Sequence, residues 1–155
     1  MTAAHLAHVE LADEGRGTSA VNEQERRVAV FDLLEENSFA LTDGPAGPYR
    51  LRLDSGGGKV HFHVASDNDT AAVEFRLAEA PMRQVIKDYT QICNSYYEAV
   101  RLQGPAEIEA LDEARRAIHL EGGRLLQEGL DGHARLDVDT ARRLFTLICA
   151  FLPAK

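Results

Sequence analysis

Hydrophobic and polar residues alternate with a period of two in three consecutive stretches near the middle of the chain. These stretches are PYRLRLD (48–54), KVHFHVA (59–65) and AVEFRLAE (72–79). Strict alternation puts one row of side chains on a core and the opposite row in water, which is typical of antiparallel strands. SGGG and DNDT lie between the stretches and have the composition of turns. The pattern predicts an antiparallel meander, and HLAHVELA (5–12) and SFALT (38–42) predict two further strands.

The rest of the chain shows the three-to-four-residue apolar period of amphipathic helices. Helices are predicted over residues 22–36, 81–100, from 105 onwards, and 139–152. Asn22 and Glu25 have the spacing of a capping box, Pro81 suits a first helical position, and Asp139 is expected to cap the last helix. The first of these helices has a broad apolar set, from which we expect deep burial. HARLDVD (133–139) predicts one more short strand.

This order of elements predicts an α+β fold, with an antiparallel sheet of four or five strands and long helices packed on one face. The 155 residues suit a single domain spanning 1–155, whose first 21 residues form a partly irregular segment. A hydrophobic content of 45% and a charged content of 27% are typical of globular proteins. The sequence therefore indicates a chain long enough to bury its own core.

Charge and targeting signals narrow the classes of function. The net charge of −8 opposes broad binding to nucleic acid or to anionic membranes. No apolar run approaches the ~20 residues of a membrane helix, and the first fifteen residues show no secretory pattern. Cys93 and Cys149, both in apolar helical contexts, are expected to be buried and unbridged. These features predict a cytoplasmic protein without a membrane partner.

The stretch IKDYTQICNSYYEAV (86–100) concentrates groups that could be reactive. On a helix, however, Tyr89, Cys93 and Tyr96 share one face with apolar residues, whereas Lys87 and Asn94 lie on the opposite side. Such a face is more often core than a catalytic site. The stretch is therefore predicted to be a core-facing helix.

Motifs for catalysis, cofactors and metals are weak. SGGGK lacks the earlier glycine and the final Ser or Thr of a phosphate loop, since Leu53 and Val60 stand there. Asp137 and Asp139 have the separation of a phosphotransferase pair, but helix capping explains Asp139 more simply. His61 and His63 have Glu74 as the only evident third ligand for zinc. Gly-x-Ser-x-Gly and dinucleotide fingerprints are absent, and the sequence predicts no cofactor and no metal site.

The segment ARRAIHLEGGRLL (114–126) carries the strongest candidate site. Arg115 interrupts an apolar helical stripe and needs a partner, because an unpaired buried charge is costly. Gly122 lies on the same stripe, which suggests close approach of another backbone or a ligand. In one interpretation Arg115 forms a structural ion pair with Glu35, Glu36, Asp88 or Glu121. In the other, a small anion binds to a set comprising Arg115, Arg116, His119, Lys87, Tyr97, Arg142 and Arg143.

Five segments resemble the bacterial UPF0262 family. They are ERRVAVFDLLEENSF, GPYRLRL, IKDYTQICNSYYEAV, EALDEARRAIHLEGGRLL and DVDTARRLFTLICAFL, which cover most of residues 25–152. The resemblance implies a small cytosolic bacterial protein and supplies no catalytic roles. Family motif segments include the positions of Glu35, Glu36, Asn37, Tyr49, Arg50, Lys87, Asp88, Tyr89, Tyr97, Arg115, Arg116, His119, Glu121, Arg142 and Arg143. The HFH strand differs from the family pattern, which speaks against a shared metal role for its histidines.

Three functional hypotheses follow. The first is a noncatalytic binding or regulatory protein that forms homo-oligomers, because the apolar helices over 22–36 and 139–152 exceed what one core buries. The second is an enzyme or sensor that binds a phosphorylated or carboxylated metabolite through Arg115, Arg116, His119 and a tyrosine. The third is RNA binding through Arg50, Arg52 and Arg76 on the solvated sheet face, which the net charge opposes.

Overall fold

The helices and strands follow the predicted order along the chain. The computed structural model describes residues 4–12, 20–66 and 72–152, of which 20–22 are described by their backbone alone. The elements are β1 (Leu6–Leu11), α1 (Ala20–Glu35), β2 (Phe39–Leu41), β3 (Tyr49–Gly56), β4 (Lys59–Ser66), β5 (Ala72–Ala78), α2 (Arg83–Leu102), α3 (Pro105–Gly129), β6 (Ala134–Leu136) and α4 (Val138–Phe151). A 3-10 turn, Ala80–Met82, leads into α2. Within these ranges no helix has the length and apolarity to cross a membrane.

The antiparallel meander of β3, β4 and β5 confirms the reading of the alternating stretches. Its register aligns Leu53, Phe62 and Phe75 across the three strands, so that the buried row is continuous. Gly57 and Gly58 make the turn between β3 and β4 with φ angles of 63° and 76°. Side-chain-bearing residues rarely adopt such angles, which explains the glycines of SGGG as a hairpin turn. The predicted DNDT turn lies outside the described residues.

The sheet departs from the prediction in the direction of its first strand. β1 lies beside β3 and runs parallel to it, with Val9 opposite Leu51. Alternation reports which face of a strand is buried and carries no information on strand direction. A parallel neighbour needs a crossover connection, which α1 provides. β2 does not join this sheet but pairs with β6 in a separate two-stranded sheet.

The long helices pack against the four-stranded sheet and confirm the α+β fold. α3 and α4 pack against each other, α2 packs against α3, and α1 packs against α4. The core between helices and sheet is filled by large, fully buried side chains, which include Leu33, Phe39, Phe62, Leu126, Phe145 and Phe151. One face of the four-stranded sheet thus packs against the core, and the other face carries polar side chains.

Burial of the first and last helices differs from the expectation. In α4 the apolar residues are almost all buried, whereas α1 buries Ala29 and Leu33 and exposes Val28 and Phe31. The two exposed residues lie three apart on the side of α1 that faces away from α4, and this explains why the broad apolar set is only partly buried. The deep burial predicted for α1 is therefore wrong for one face.

The starts of these helices also shift. α1 begins at Ala20, before the proposed Asn22 cap, and the Asn22 side chain lies outside the described residues. α4 is capped by Asp137, whose carboxylate accepts the Thr140 N–H at 2.9 Å. Asp139 instead lies in the first turn, because the backbone becomes helical at Val138. The predicted cap was thus two residues too late.

Glycines allow α3 and α4 to approach closely, as the position of Gly122 on the apolar stripe indicated. A Cβ added to Gly122 would overlap the buried Phe145 ring. A Cβ added to Gly123 would lie 2.9 Å from Arg142 Cγ and 3.2 Å from its backbone nitrogen. The absence of side chains at these two positions sets the spacing of the two central helices.

We expect Gly122→Ala to lower the free energy of unfolding by about 1 kcal/mol. Overpacking a filled core costs about 2 kcal/mol, the middle of its usual range, and roughly 1 kcal/mol of this is offset by the higher helix propensity of alanine. Urea denaturation measures the change. Gly56→Ala is the matched control, since its added Cβ meets nothing within 4 Å. Unchanged or increased stability of Gly122→Ala would contradict the close approach.

Candidate functional site

The side chains best suited to binding or catalysis meet where α2, α3 and α4 come together. We call them the interhelical cluster: Tyr89, Cys93 and Tyr96 of α2, Arg115 and His119 of α3, and Thr146 of α4. Tyr89 stacks on His119 with ring centroids 5.2 Å apart and meets the Phe145 ring edge-on at 5.5 Å. Helical spacing aligns these residues, because positions three or four apart share a face. This side of α2 therefore faces the other helices as predicted, although Tyr89, Cys93 and Tyr96 are only half-buried.

His119 is held by α4 through two hydrogen-bond partners. Its Nε2 lies 2.9 Å from the Arg142 carbonyl oxygen and 2.7 Å from Thr146 Oγ1. A carbonyl accepts only, so Nε2 carries the proton and donates it. Burial lowers the pKa of His119 below its usual value of 6.5. The imidazole is consequently neutral near pH 7 and fixed in orientation.

Arg115 has the acidic partner that its position on the apolar stripe required. It forms an ion pair with Asp112, one turn earlier on α3, and its guanidinium lies 4.8 Å from the centre of the Tyr96 ring. The same carboxylate lies 3.2 Å from Arg116. The hydrogen bond from Arg115 lowers the pKa of Asp112 and raises that of Arg115. About a third of the Arg115 side chain remains exposed, so the group is paired but not sealed.

The carboxylates that the sequence offered to Arg115 lie elsewhere. Glu121 pairs with Arg124 at 2.7 Å, and Asp88 accepts a hydrogen bond from Gln84 at 2.9 Å. Glu35 and Glu36 are exposed at the end of α1. An i−3 partner on the same helix is closer to Arg115 than any of these. The sequence analysis proposed Glu121 on the same helix and three carboxylates on other elements, and it missed Asp112 three residues before Arg115.

The predicted anion set is only partly assembled. Arg115, Arg116 and His119 lie within about one turn of each other on α3, and the tyrosines next to them are Tyr89 and Tyr96 rather than Tyr97. Arg142 contacts His119 through its carbonyl oxygen, and its guanidinium lies 3.5 Å from Asp139. Three members lie apart: Lys87 and Tyr97 are exposed on α2, and Arg143 donates to the Glu36 carbonyl at 2.9 Å. Within the described part of the chain, no contact joins Lys87, Tyr97 or Arg143 to Arg115. The α3 residues and Arg142 thus form one group, and the other three do not join it.

The possible nucleophiles of the interhelical cluster are protonated at neutral pH. Burial raises the pKa of Cys93, and it raises that of Cys149 more strongly. Burial also raises the pKa of Tyr89 to about 12. Both cysteines are free, as expected, although half-buried rather than fully buried. Since the thiolate is the reactive form of cysteine, these thiols are poor nucleophiles.

A second polar region lies on the solvated side of the four-stranded sheet, which we call the open sheet face. It carries the residues opposite to the core row, which include His8, Glu10, Arg50, Arg52, Asp54, His61, His63, Glu74 and Arg76. Two concavities of about 440 and 460 Å³ lie on it, and His63 lines both. His63 Nδ1 is 3.0 Å from Glu74 Oε2. Among the described residues, no group of three or more His, Cys, Asp or Glu side chains is arranged to hold a metal ion.

We expect acid to destabilise the wild-type protein more than the His119→Gln variant. In the unfolded chain His119 takes up a proton near pH 6.5, whereas burial resists protonation in the folded state. The contribution to stability is therefore present above pH 6.5 and is lost as the pH falls towards the lower folded pKa. Urea midpoints at pH 7.5 and 5.5 measure the difference. His61→Gln is the control, and equal pH dependence of wild type and His119→Gln would disprove the assignment.

We also expect both thiols to react slowly with a disulfide reagent at pH 8 in the folded protein. A raised pKa lowers the thiolate fraction at pH 8, so both thiols should react more slowly in the folded protein than in urea. Cys93 should react before Cys149, because burial raises the pKa of Cys149 further. The single variants Cys93→Ala and Cys149→Ala assign the two phases. A fast phase in the folded protein would show an activated thiol instead.

Comparison with known proteins supports the resemblance seen in the sequence. The model of an uncharacterised protein family, UPF0262, matches residues 3–153. A UPF0262 protein of Jannaschia sp. is 52% identical over 148 residues, covering 94% of this chain and 95% of the relative. Relatives from Ruegeria pomeroyi and Paracoccus denitrificans are 50% identical over 155 residues and 55% identical over 136 residues, covering 96% and 84% of each chain. No solved structure matches significantly. The chain therefore belongs to the UPF0262 family.

Proposed function

We propose that this protein is a noncatalytic binding protein that self-associates, with the far end of the α2–α3 hairpin as the contact between copies. The observation that carries the proposal is the exposure of Tyr97, Val100 and Leu102, at 63%, 52% and 69%. Three large apolar side chains lie here within six residues of one helix end. Burying such side chains is worth roughly 1.5–3 kcal/mol each, so their association is favourable.

The hairpin end extends past the neighbouring helix. α3 and α4 are antiparallel, with Gly123 next to Arg142 and His119 next to Thr146. Continuing this register places Phe151, the end of α4, level with Ala114. The first nine residues of α3, before Ala114, thus run beyond α4 by roughly 13 Å at 1.5 Å per residue. The last turns of α2 pack against this part of α3, so their outer side has no cover from α4.

A second copy of the chain suits this surface because its charges are self-complementary. Glu98 and Arg101 are both exposed and lie among the three apolar residues. If two α2 helices pair antiparallel about a two-fold axis near Ala99 and Val100, Glu98 of each copy faces Arg101 of the other. The same apolar residues then meet across the axis. In such a two-fold symmetric contact, each copy buries the same patch of its surface.

The noncatalytic part of the proposal rests on the interhelical cluster. Burial holds the Cys93 thiol and the Tyr89 phenol in their protonated forms by raising the pKa of each, and His119 is fixed by two partners on α4. Groups in this condition stabilise helix packing and lack the poised pKa that acid–base or nucleophilic catalysis needs. The cluster is thus better suited to holding α2, α3 and α4 together than to turning over a substrate.

The alternative function is an enzyme or sensor that binds a phosphorylated or carboxylated metabolite through Arg115, Arg116, His119 and a tyrosine. One observation favours it: the Arg115 guanidinium lies over the Tyr96 ring and stays partly exposed. Asp112, however, already forms ion pairs with both arginines, and a ligand anion would compete with it for them. We therefore rank this function second.

We expect the wild-type protein to have a molar mass of about twice the 17.1 kDa of one chain, and Val100→Glu to be monomeric. A carboxylate at this position would be desolvated between two apolar surfaces, which is unfavourable. Light scattering coupled to size exclusion measures both masses.

Val138→Glu is the matched control, because Val138 is similarly exposed and lies at the start of α4, where a negative charge is tolerated. A monomeric wild type would refute self-association. A dimer that survives Val100→Glu but is lost in Phe31→Glu would place the contact on the exposed side of α1 instead.

A further inference from the structure

The smaller concavity on the open sheet face is produced by the register of the strands. Arg52 of β3 has Glu10 of β1 on one side and His63 of β4 on the other. The next level along the sheet has His8 and Arg50 on β1 and β3, followed by the short side chains Ala65 and Ala72 on β4 and β5. Long side chains therefore surround short ones, which leaves a hollow of about 440 Å³.

The lining of this hollow is more basic than the protein as a whole. Its described lining residues include two guanidinium groups, two imidazoles and one carboxylate, that of Glu10. The chain has a net charge of −8, so this local excess of positive groups does not follow from composition. A basic hollow on an acidic protein attracts a small anion while the remaining surface repels large polyanions.

Arg52 is available to a ligand. It is exposed, and no ion pair of the described residues includes it, although Glu10 is its neighbour across β1. A guanidinium offers five N–H donors in a planar fork that matches two oxygens of a phosphate or carboxylate. The side chain is thus both oriented by its strand and unoccupied by a neighbouring carboxylate.

His63 has one nitrogen in use and one without a partner. Nδ1 lies 3.0 Å from Glu74 Oε2, and since a carboxylate accepts, Nδ1 donates. Nε2 is shielded from solvent and has no hydrogen-bond partner. In the neutral ring this nitrogen is an acceptor, and a shielded acceptor without a donor is unfavourable. His63 lines the hollow, so a modest movement of its side chain would let a ligand hydroxyl supply that donor.

We infer that the hollow is a binding site for a small hydroxyl-bearing phosphate ester, in which Arg52 binds the phosphate oxygens and His63 Nε2 accepts from a ligand hydroxyl. The volume lies in the lower part of the range of small-molecule sites. Nucleic acid fits less well, because the exposed rows of β3, β4 and β5 carry no Phe, Tyr or Trp side chain on which a base could stack. The site is separate from the hairpin end and does not depend on self-association.

Isothermal titration calorimetry at low ionic strength tests the site with glycerol 3-phosphate and with propyl phosphate, which lacks the hydroxyls. Wild type should bind glycerol 3-phosphate several-fold more tightly than propyl phosphate, and His63→Leu should abolish that difference. Arg52→Gln should weaken binding of both esters at least about tenfold, because a charge-assisted pair is lost. Arg76→Gln is the matched control on the same sheet face, outside the hollow, and should change affinity less than about twofold.

Circular dichroism establishes that each variant is folded. No binding of either ester by wild type at millimolar concentration would overturn the inference. So would equal losses in Arg52→Gln and Arg76→Gln, which would show general electrostatic attraction. Loss in Arg115→Gln but not in Arg52→Gln would move the ligand to α3. Retention of a uridine oligomer without ester binding would favour RNA as the ligand.

Discussion

The close contact between α3 and α4 is the constraint on which the rest of the structure depends. Gly122 lets the Phe145 ring lie against the α3 backbone, and Gly123 lets α4 itself approach. Phe145 then meets Tyr89, so that α2 is positioned from the same contact. His119 is brought within hydrogen-bond distance of the α4 backbone for the same reason. A larger residue at either glycine would separate the helices and disturb all three relationships at once.

Most polar groups within this helical layer have a partner nearby, although the Nε atoms of Arg115 and Arg142 are buried without one. Asp112 neutralises Arg115 from one turn away, which removes the cost of a guanidinium beside the apolar stripe without involving another helix. Thr146 and the Arg142 carbonyl do the same for His119. Local partners make the cluster insensitive to the rest of the fold. The Nε–H donors of Arg115 and Arg142 have no partner among the described residues, but both atoms are shielded from solvent, so a ligand has little access to them.

The sequence predicted those features that depend on periodicity and failed where the answer depends on tertiary partners. Alternation identified β3, β4 and β5 and the face to which Arg50, Arg52 and Arg76 belong, because a strand has only two faces. It could not give the parallel direction of β1, since direction is set by the connection. The exposure of Phe31 was missed because an apolar residue on a helix does not reveal whether another element packs there. The hollow beside Ala65 was missed because it requires the register between strands.

Helices cover one face of the four-stranded sheet, and the side chains on its open face determine which anions that face attracts. Cross-strand neighbours there alternate in charge, with Glu10 beside Arg52 and His63 beside Glu74. Arg52 and His63 each have a carboxylate as a cross-strand neighbour, which limits the attraction of this part of the face for polyanions in general. Ala65 and Ala72 interrupt the row opposite Arg50. In the proposed site, a ligand small enough to enter at that interruption lies next to Arg52 and His63, whereas a long polyanion would meet the carboxylates on either side.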